Sequence, residues 1–81
     1  MQPEAESKET LLKIANWKMP FGRYSGIALV DLPEGYLFWF EKHGFPSGEL
    51  GELLKLTLEM KINGTDLLIK PLQGIKPKNE K

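Results

Sequence analysis

The stretch that decides the fold runs SGELGELLKLTLEMKING, from Ser47 to Gly64. Ser47 is a residue type that caps the N-termini of helices, and the Asn63-Gly64 pair is typical of a helix C-terminus. At 100° per residue, the apolar side chains between them spread over roughly 240° of a helix surface. The pattern therefore predicts a helix of about fifteen residues that is buried on most sides and lies at the centre of the fold. The apolar positions are Leu50, Leu53, Leu54, Leu56, Leu58, Met60 and Ile62.

Two shorter helices are predicted upstream of this central one. The first runs from about Ser7, a candidate N-cap, to Asn16, with apolar residues at helical spacing. The second runs from about Pro33 to His43, because proline favours the first turn of a helix. Gly44 follows it directly and is suited to ending a helix in the left-handed conformation.

Two short apolar runs, at residues 27–30 and 67–72, lie outside the predicted helices. Gly22 and Gly26 precede the first run, which indicates a turn with one or two short strands. Pro71 stops the second run, which is either a strand that pairs with the first or an extended arm packed on the helices. The predicted fold class is therefore α+β, with about three helices and a short strand or hairpin element.

Length and composition narrow the classes of protein that the chain can represent. Its 81 residues allow one small domain, 1–81, with an ordered core of about 7–72 and a polar tail over 73–81. Zero net charge argues against attraction to nucleic acid or membrane by overall charge. The absence of cysteine excludes disulfides and thiolate metal clusters. The acidic N-terminal segment does not resemble a secretory signal, and no apolar run spans a bilayer, so we expect a cytoplasmic protein without a membrane partner.

The most unusual segment is the turn at residues 20–26, in which Gly22 and Gly26 bracket Arg23 and Tyr24. Glycine lets a backbone adopt positive φ and approach a ligand, and successive N–H groups in such a turn can bind an anion. Arg23 would then contact a phosphate while Tyr24 offers a stacking face. The simpler interpretation is a hairpin turn whose aromatic residues belong to the core and whose Arg23 is solvated. The candidate surface also includes the flanking residues Trp17, Lys18 and Phe21.

Three other side chains are candidates, and each has a simpler structural explanation. His43, the only histidine, is either a general base or a residue that bonds a carbonyl at a helix C-terminus. A single histidine without cysteine argues against a dedicated transition-metal site. Phe38 lies on the charged side of the second helix and is either covered by another element or available to a partner. Lys61 points towards the apolar side of the third helix and either reaches solvent and terminal carbonyls or serves as a functional cation beside Lys18 and Arg23.

A series of spaced motifs carries a family resemblance. They are MPFGRYSG at 19–26, DLP at 31–33, GFP at 44–46, GELG at 48–51 and EMKING at 59–64. Together they resemble, over about residues 17–72, a family of small bacterial domains of unknown function labelled "putative quorum-sensing-regulated virulence factor". The label implies a regulated accessory protein and names no reaction. Family members often carry lysine in the places of Arg23 and Ser25, so this chain keeps one cation and lacks the other.

These features together predict a non-catalytic accessory binding module, not an enzyme, whose contact surface is the turn from Phe21 to Gly26 with the nearby aromatic residues. We expect a protein partner, with nucleic acid as the alternative, and neither a cofactor nor a metal ion. The oligomeric state is left open by the sequence.

Two alternative functions belong to other classes. The first is weak binding of single-stranded nucleic acid, because the Phe-Gly-cation-Tyr-Gly pattern is similar to one in tails attached to DnaQ-like exonucleases. That function would use Lys18, Arg23, Tyr24 and Lys61. The second is a small hydrolase in which His43 works with a carboxylate, either Asp31 or Glu49.

Overall fold

The fold is built from three α-helices and three 3-10 turns within residues 8–74, the part of the chain that the computed structural model describes. Helix α1 spans Lys8–Asn16, α2 spans Glu34–His43 and α3 spans Gly48–Asn63, and the 3-10 turns cover Leu29–Asp31, Thr65–Leu68 and Lys70–Leu72. Helix α3 packs against both α1 and α2. All three predicted helices are therefore present. The predicted N-cap Ser7 and residues 75–81 of the predicted tail lie outside the described residues.

The predicted α+β class is wrong, because residues 8–74 form helices and turns without a β-strand. The chain does fold back on itself after α1, and Lys18 and Ala28 form one isolated antiparallel bridge. The backbone N–H of Leu29 donates to the carbonyl of Trp17 at 2.9 Å. Leu29 also starts a 3-10 turn, however, so the chain leaves the extended conformation at once. A single bridge is too short to count as a sheet.

Neither alternative predicted for residues 67–72, a strand or an extended arm, is present. This segment instead forms two successive 3-10 turns, in which Ile69 donates to the carbonyl of Asp66 at 3.0 Å and Leu72 donates to that of Ile69 at 2.8 Å. Pro71 has no N–H to give to a strand ladder. The run at residues 67–72 therefore satisfies its backbone locally and still buries the side chain of Ile69 in the core.

Helix α3 is the central helix, as its apolar pattern predicts. Leu54 is fully buried, and the core residues Leu53 and Leu58 lie on the same side of the helix. The buried hydroxyl of Thr57 donates to the carbonyl of Leu53 at 2.7 Å, so this polar group is paired. Ile62 is 55% exposed, which corrects its assignment to the buried arc. It lies at one edge of that arc, where the covering by other elements ends.

Two glycines shape the connection between α2 and α3. Gly44 ends α2 with φ of +109°, and its N–H donates to the carbonyl of Phe40 at 2.6 Å. Gly51, inside α3, has the carbonyl of Pro46 pressed against it, so that a Cβ atom added there would lie 1.8 Å from the Pro46 oxygen. The connecting loop can therefore pack directly on the helix backbone.

The end of the described chain is tied back to the body of the protein through Asp31. The carboxylate of Asp31 accepts hydrogen bonds from Lys70 and, at 2.8 Å, from Gln73. These two bonds, the one from Lys70 first, lower the pKa of the Asp31 carboxyl below its ordinary value of 3.8. Asn16, at the end of α1, accepts from the N–H of Gly74 at 2.6 Å. Residues 70–74 are thus fixed to α1 and to the turn that contains Asp31.

Candidate functional site

An open groove of about 640 Å³ lies between the turn at residues 21–24 and one face of α2. Its walls are aromatic and half exposed, since Trp39 is 52% and Phe21 is 44% accessible to solvent. The groove combines the turn singled out in the sequence with one face of α2. The residues that line it are Phe21, Gly22, Arg23, Tyr24, Gly35, Tyr36, Trp39 and Phe40.

The turn is held in shape by its own backbone. Gly22 has φ of +81°, and its carbonyl accepts the N–H of Ser25 at 3.1 Å. A Cβ atom added at Gly22 would lie 3.0 Å from the hydroxyl oxygen of Tyr36. Glycine is therefore suited to this position twice over, because it accepts positive φ and because it leaves room for the phenol of α2.

The aromatic rings of the groove pack in a continuous series. The ring centroids of Tyr24 and Tyr36 are 4.6 Å apart, those of Tyr36 and Phe40 are 5.0 Å apart, and those of Phe40 and Trp39 are 5.3 Å apart. The last two pairs meet edge to face, a geometry that aromatic rings favour. Burial raises the pKa of the Tyr36 phenol above its ordinary value of 10.0, so this hydroxyl stays protonated at neutral pH. The rings form a pre-arranged apolar surface.

Arg23 closes one end of this series. Its guanidinium carbon lies 5.4 Å from the ring centroid of Tyr24, within the range of a cation–π interaction. Among the groove residues in the described part of the chain, Arg23 carries the only formal charge. Its side chain forms no ion pair within residues 8–74. The exposed cation is therefore held over an aromatic face and remains available to a ligand.

His43 supports the groove from the far side of Trp39. Its imidazole stacks on the indole with 4.5 Å between the ring centroids and 26° between the planes. Its Nδ1 lies 3.0 Å from the carbonyl oxygen of Trp39, and since a carbonyl only accepts, Nδ1 carries the hydrogen. The bond to a carbonyl at the helix C-terminus agrees with the structural interpretation of His43.

The two carboxylates proposed for a hydrolase have other partners. Asp31 is bonded to Lys70 and Gln73, and Glu49 is bonded to Lys13 of α1. His43 bonds the backbone of its own helix. In the described residues, His43 is therefore bonded to a backbone carbonyl, and both candidate carboxylates form ion pairs with lysines instead of bonding His43.

The remaining cations of the predicted surface are separated from Arg23. Lys18 and Gly26 line a different cleft, on the side of the bridge between residues 18 and 28. Lys61 donates from Nζ to the carbonyl of Val30 at 2.8 Å and lies 3.4 Å from the carboxylate of Asp66. Lys61 thus joins α3 to the 3-10 turns that contain Val30 and Asp66. The predicted group of three cations, Lys18, Arg23 and Lys61, does not form.

The two remaining aromatic candidates also lie outside the groove. Trp17 is partly buried and packs against the hydrophobic core. Phe38 is 42% exposed on another side of α2, so it is uncovered within the described residues.

The groove residues that the sequence did not select as binding residues lie on α2. They include Tyr36, Trp39 and Phe40, which lie at positions i, i+3 and i+4, and the predicted candidate His43 follows at i+7, so all four share one face of the helix. That spacing is the signal that identifies the face. It does not show that the face stays partly open.

Residues 8–74 contain no cluster of three or more histidine, aspartate and glutamate side chains arranged to bind a metal ion. Within the same residues, every helix is too short or too polar to cross a bilayer.

The structure defines a small all-helical domain that presents an aromatic groove with a single cation at its edge. The chain belongs to the family described as "Putative quorum-sensing-regulated virulence factor", which matches residues 7–72. This confirms the family indicated by the motifs between residues 17 and 72. The chain is also similar to the "Uncharacterized protein YpeB" of Escherichia coli K12, with 54% identity over 67 residues that cover 82% of this chain and 93% of the relative. The protein of the same name from Escherichia coli O157:H7 shows the same identity and coverage. No solved structure gives a significant match to the chain.

Proposed function

We propose that this protein is a non-catalytic accessory binding module and that the aromatic groove is its contact surface for a partner protein. The observation that supports the proposal is the half-exposed indole of Trp39 beside the half-exposed ring of Phe21. Large aromatic side chains dominate the binding energy of many protein interfaces. The family description names a regulated virulence factor and no reaction, which is consistent with an accessory role.

The packing around Trp39 supports a binding role for that residue. Its indole contacts Phe40 on one side and His43 on the other, so its orientation is fixed before a partner arrives. A side chain that is already ordered loses little conformational entropy on binding. Trp39 therefore offers a rigid apolar surface that a partner can cover at low cost.

Charge favours a protein over single-stranded nucleic acid as the partner. Proteins that bind single strands combine stacking aromatics with a positively charged groove that follows the phosphates. Here Lys18 lines another cleft and Lys61 is engaged by Val30, which leaves Arg23 as the one cation of the groove in the described residues. One cation neutralises too little of a phosphate backbone to support strong binding.

A pull-down with matched variants tests this proposal. The immobilised protein is incubated with a lysate of Escherichia coli, with and without nuclease, and retained proteins are identified by mass spectrometry. Trp39→Ala removes the exposed indole of the groove. Phe38→Ala is the control, since Phe38 is a similarly exposed aromatic residue of the same helix outside the groove. Far-UV circular dichroism checks that both variants remain folded.

We expect a protein that survives nuclease treatment, binds wild type and Phe38→Ala alike, and is lost from Trp39→Ala. Because this contact is largely apolar, its retention should fall only gradually as the salt concentration rises, whereas binding to a phosphate backbone would weaken steeply. Loss of every partner after nuclease treatment would indicate nucleic acid instead. Loss of the partner from Phe38→Ala alone would place the contact surface on another side of α2.

A further inference from the structure

We infer that the groove binds an extended peptide segment that places an apolar side chain against Trp39 and a carboxylate against Arg23. This inference rests on the proposed function and deepens it, because it names the chemistry of the partner. The groove is apolar along its length and carries a cation at one end. A segment with the complementary pattern is apolar with an acidic residue at one end.

The carboxylate is assigned from the electrostatics of Arg23. In the described residues its guanidinium has no ion-pair partner, and no acidic side chain lines the groove. A ligand carboxylate could therefore pair with the Arg23 guanidinium without repulsion from a neighbouring acidic side chain of the groove. The planar guanidinium can donate two parallel hydrogen bonds to a carboxylate while its face remains over Tyr24.

The apolar side chain is assigned from the opposite end of the ring series. Trp39 presents about half of its surface to solvent while its indole is held between Phe40 and His43. An aliphatic or aromatic side chain of a partner would cover this surface and displace water from it. A charged side chain at the same place would lose solvation without gaining a partner.

The open shape of the groove favours an extended segment over a small ligand. Sites for small molecules enclose most of the ligand surface. Here the walls formed by Phe21 and Trp39 remain half exposed, so a ligand would lie along the surface. From the guanidinium of Arg23 to the indole of Trp39, the successive distances through the rings of Tyr24, Tyr36 and Phe40 are 5.4, 4.6, 5.0 and 5.3 Å. An extended chain rises about 3.3 Å per residue, so the acidic residue and the apolar anchor of the segment are at most about six residues apart.

Selection from a phage-displayed library of random peptides tests the inference. The library is selected on wild type and, in parallel, on Arg23→Ala, Arg23→Glu and Trp39→Ala. Arg23 is exposed and forms no ion pair in the described chain, so its replacement leaves the fold intact. Wild type should enrich peptides with an aliphatic or aromatic residue at most about six positions from an acidic residue. Arg23→Ala should lose the acidic preference, and Arg23→Glu should replace it with a basic one.

A synthetic peptide of the enriched sequence then gives the size of the contact by fluorescence polarisation. Replacing its acidic residue with the corresponding amide should weaken binding to wild type by about tenfold to a hundredfold, the range of a charge-assisted hydrogen bond. The same replacement should have almost no effect on binding to Arg23→Ala. This double-mutant cycle assigns the effect to the pair rather than to either group alone.

The outcomes separate this inference from the proposed function. Enriched peptides that require Trp39 but show no preference for an acidic residue would refute the inference and leave the proposed binding groove in place. The same holds for peptides whose acidic preference is unchanged on Arg23→Ala. Failure to enrich any peptide, or peptide binding that survives Trp39→Ala, would refute both. Displacement of the peptide by single-stranded oligothymidylate at low concentration would show that the groove prefers nucleic acid, which also overturns the inference.

Discussion

Replacing Gly51 with alanine should destabilise the protein, although the same change in most helices is stabilising. Glycine costs an exposed helix about 1 kcal/mol relative to alanine, so helix propensity alone predicts a gain. At Gly51, however, the new Cβ atom would lie 1.8 Å from the carbonyl oxygen of Pro46 and 2.9 Å from its carbonyl carbon. Ordinary contacts of a Cβ atom begin at 3.4 Å. The loop must therefore move away from α3 by more than 1 Å.

The magnitude follows from what that loop holds in place. Phe45 precedes Pro46 and stacks on Phe40 with 6.0 Å between the ring centroids, so a moving loop also disturbs the ring series of the groove. Overpacking of a close-packed site costs about 1–3 kcal/mol, and a clash with backbone belongs at the upper end of this range. After the gain in helix propensity, we expect a net loss of about 2 kcal/mol in the free energy of unfolding.

Thermal and urea unfolding, followed by far-UV circular dichroism, measure this loss. For a domain of this size, 2 kcal/mol corresponds to a fall in Tm of roughly 8–16 °C. Gly35→Ala is the matched control, because Gly35 is also a helical glycine but a Cβ atom there would meet nothing within 4 Å. Gly35→Ala should leave Tm unchanged or raise it. A Tm of Gly51→Ala at or above that of wild type would refute the argument from close packing.

Three further substitutions test the fold, each by urea unfolding. Leu54→Ala should lower the free energy of unfolding by about 2–5 kcal/mol, because it opens a cavity at a fully buried position of α3. A loss below about 1 kcal/mol would contradict the central position of α3 in the core. Gly44→Ala should cost about 1–3 kcal/mol through backbone strain alone, since φ is +109° and the space for a Cβ atom is empty. Asp31→Asn should cost no more than about 1 kcal/mol at neutral pH, because the Asp31–Lys70 pair is partly exposed. The pKa of Asp31 is lowered by folding, so its contribution is present above the ordinary value of 3.8 and is lost as pH falls through the folded value. A stability difference between Asp31→Asn and wild type that does not shrink as pH falls below 3.8 would contradict this assignment.

The helices could be predicted from sequence because their signals are local. The apolar period of α3 and the glycines that follow α2 and α3 lie within the segments that they organise. The α+β class was wrong because a short apolar run does not reveal its backbone conformation. Residues 67–72 bury Ile69 through 3-10 turns just as a strand would have buried alternate side chains. The choice depends on whether a second strand is long enough to pair, and the chain reaches only the single bridge between Lys18 and Ala28.

The role of Lys61 depends on contacts between distant parts of the chain, which sequence spacing does not contain. Its position on the apolar side of α3 left two interpretations open. In the structure its ammonium group reaches the carbonyl of Val30, a residue thirty-one positions away, and the carboxylate of Asp66. A buried carbonyl that lacks a backbone donor attracts such a cation because an unpaired polar group is costly to bury. Lys61 is therefore explained by the fold, and the cation of the groove is Arg23.

The groove could be predicted only in part, for a reason that lies in the geometry of α2. The spacing of Tyr36, Trp39, Phe40 and His43 identifies one aromatic face, and a face of this kind normally packs into a core. Whether it does so depends on how much of the face the neighbouring turn covers. The turn at residues 21–24 closely approaches Tyr36 at Gly22 but leaves Trp39 half exposed, so the same face is half buried at one end and half exposed at the other. One helix face thus packs at Tyr36 and stays open at Trp39, where we propose that the partner binds. How much of the face the turn covers sets the boundary between the two.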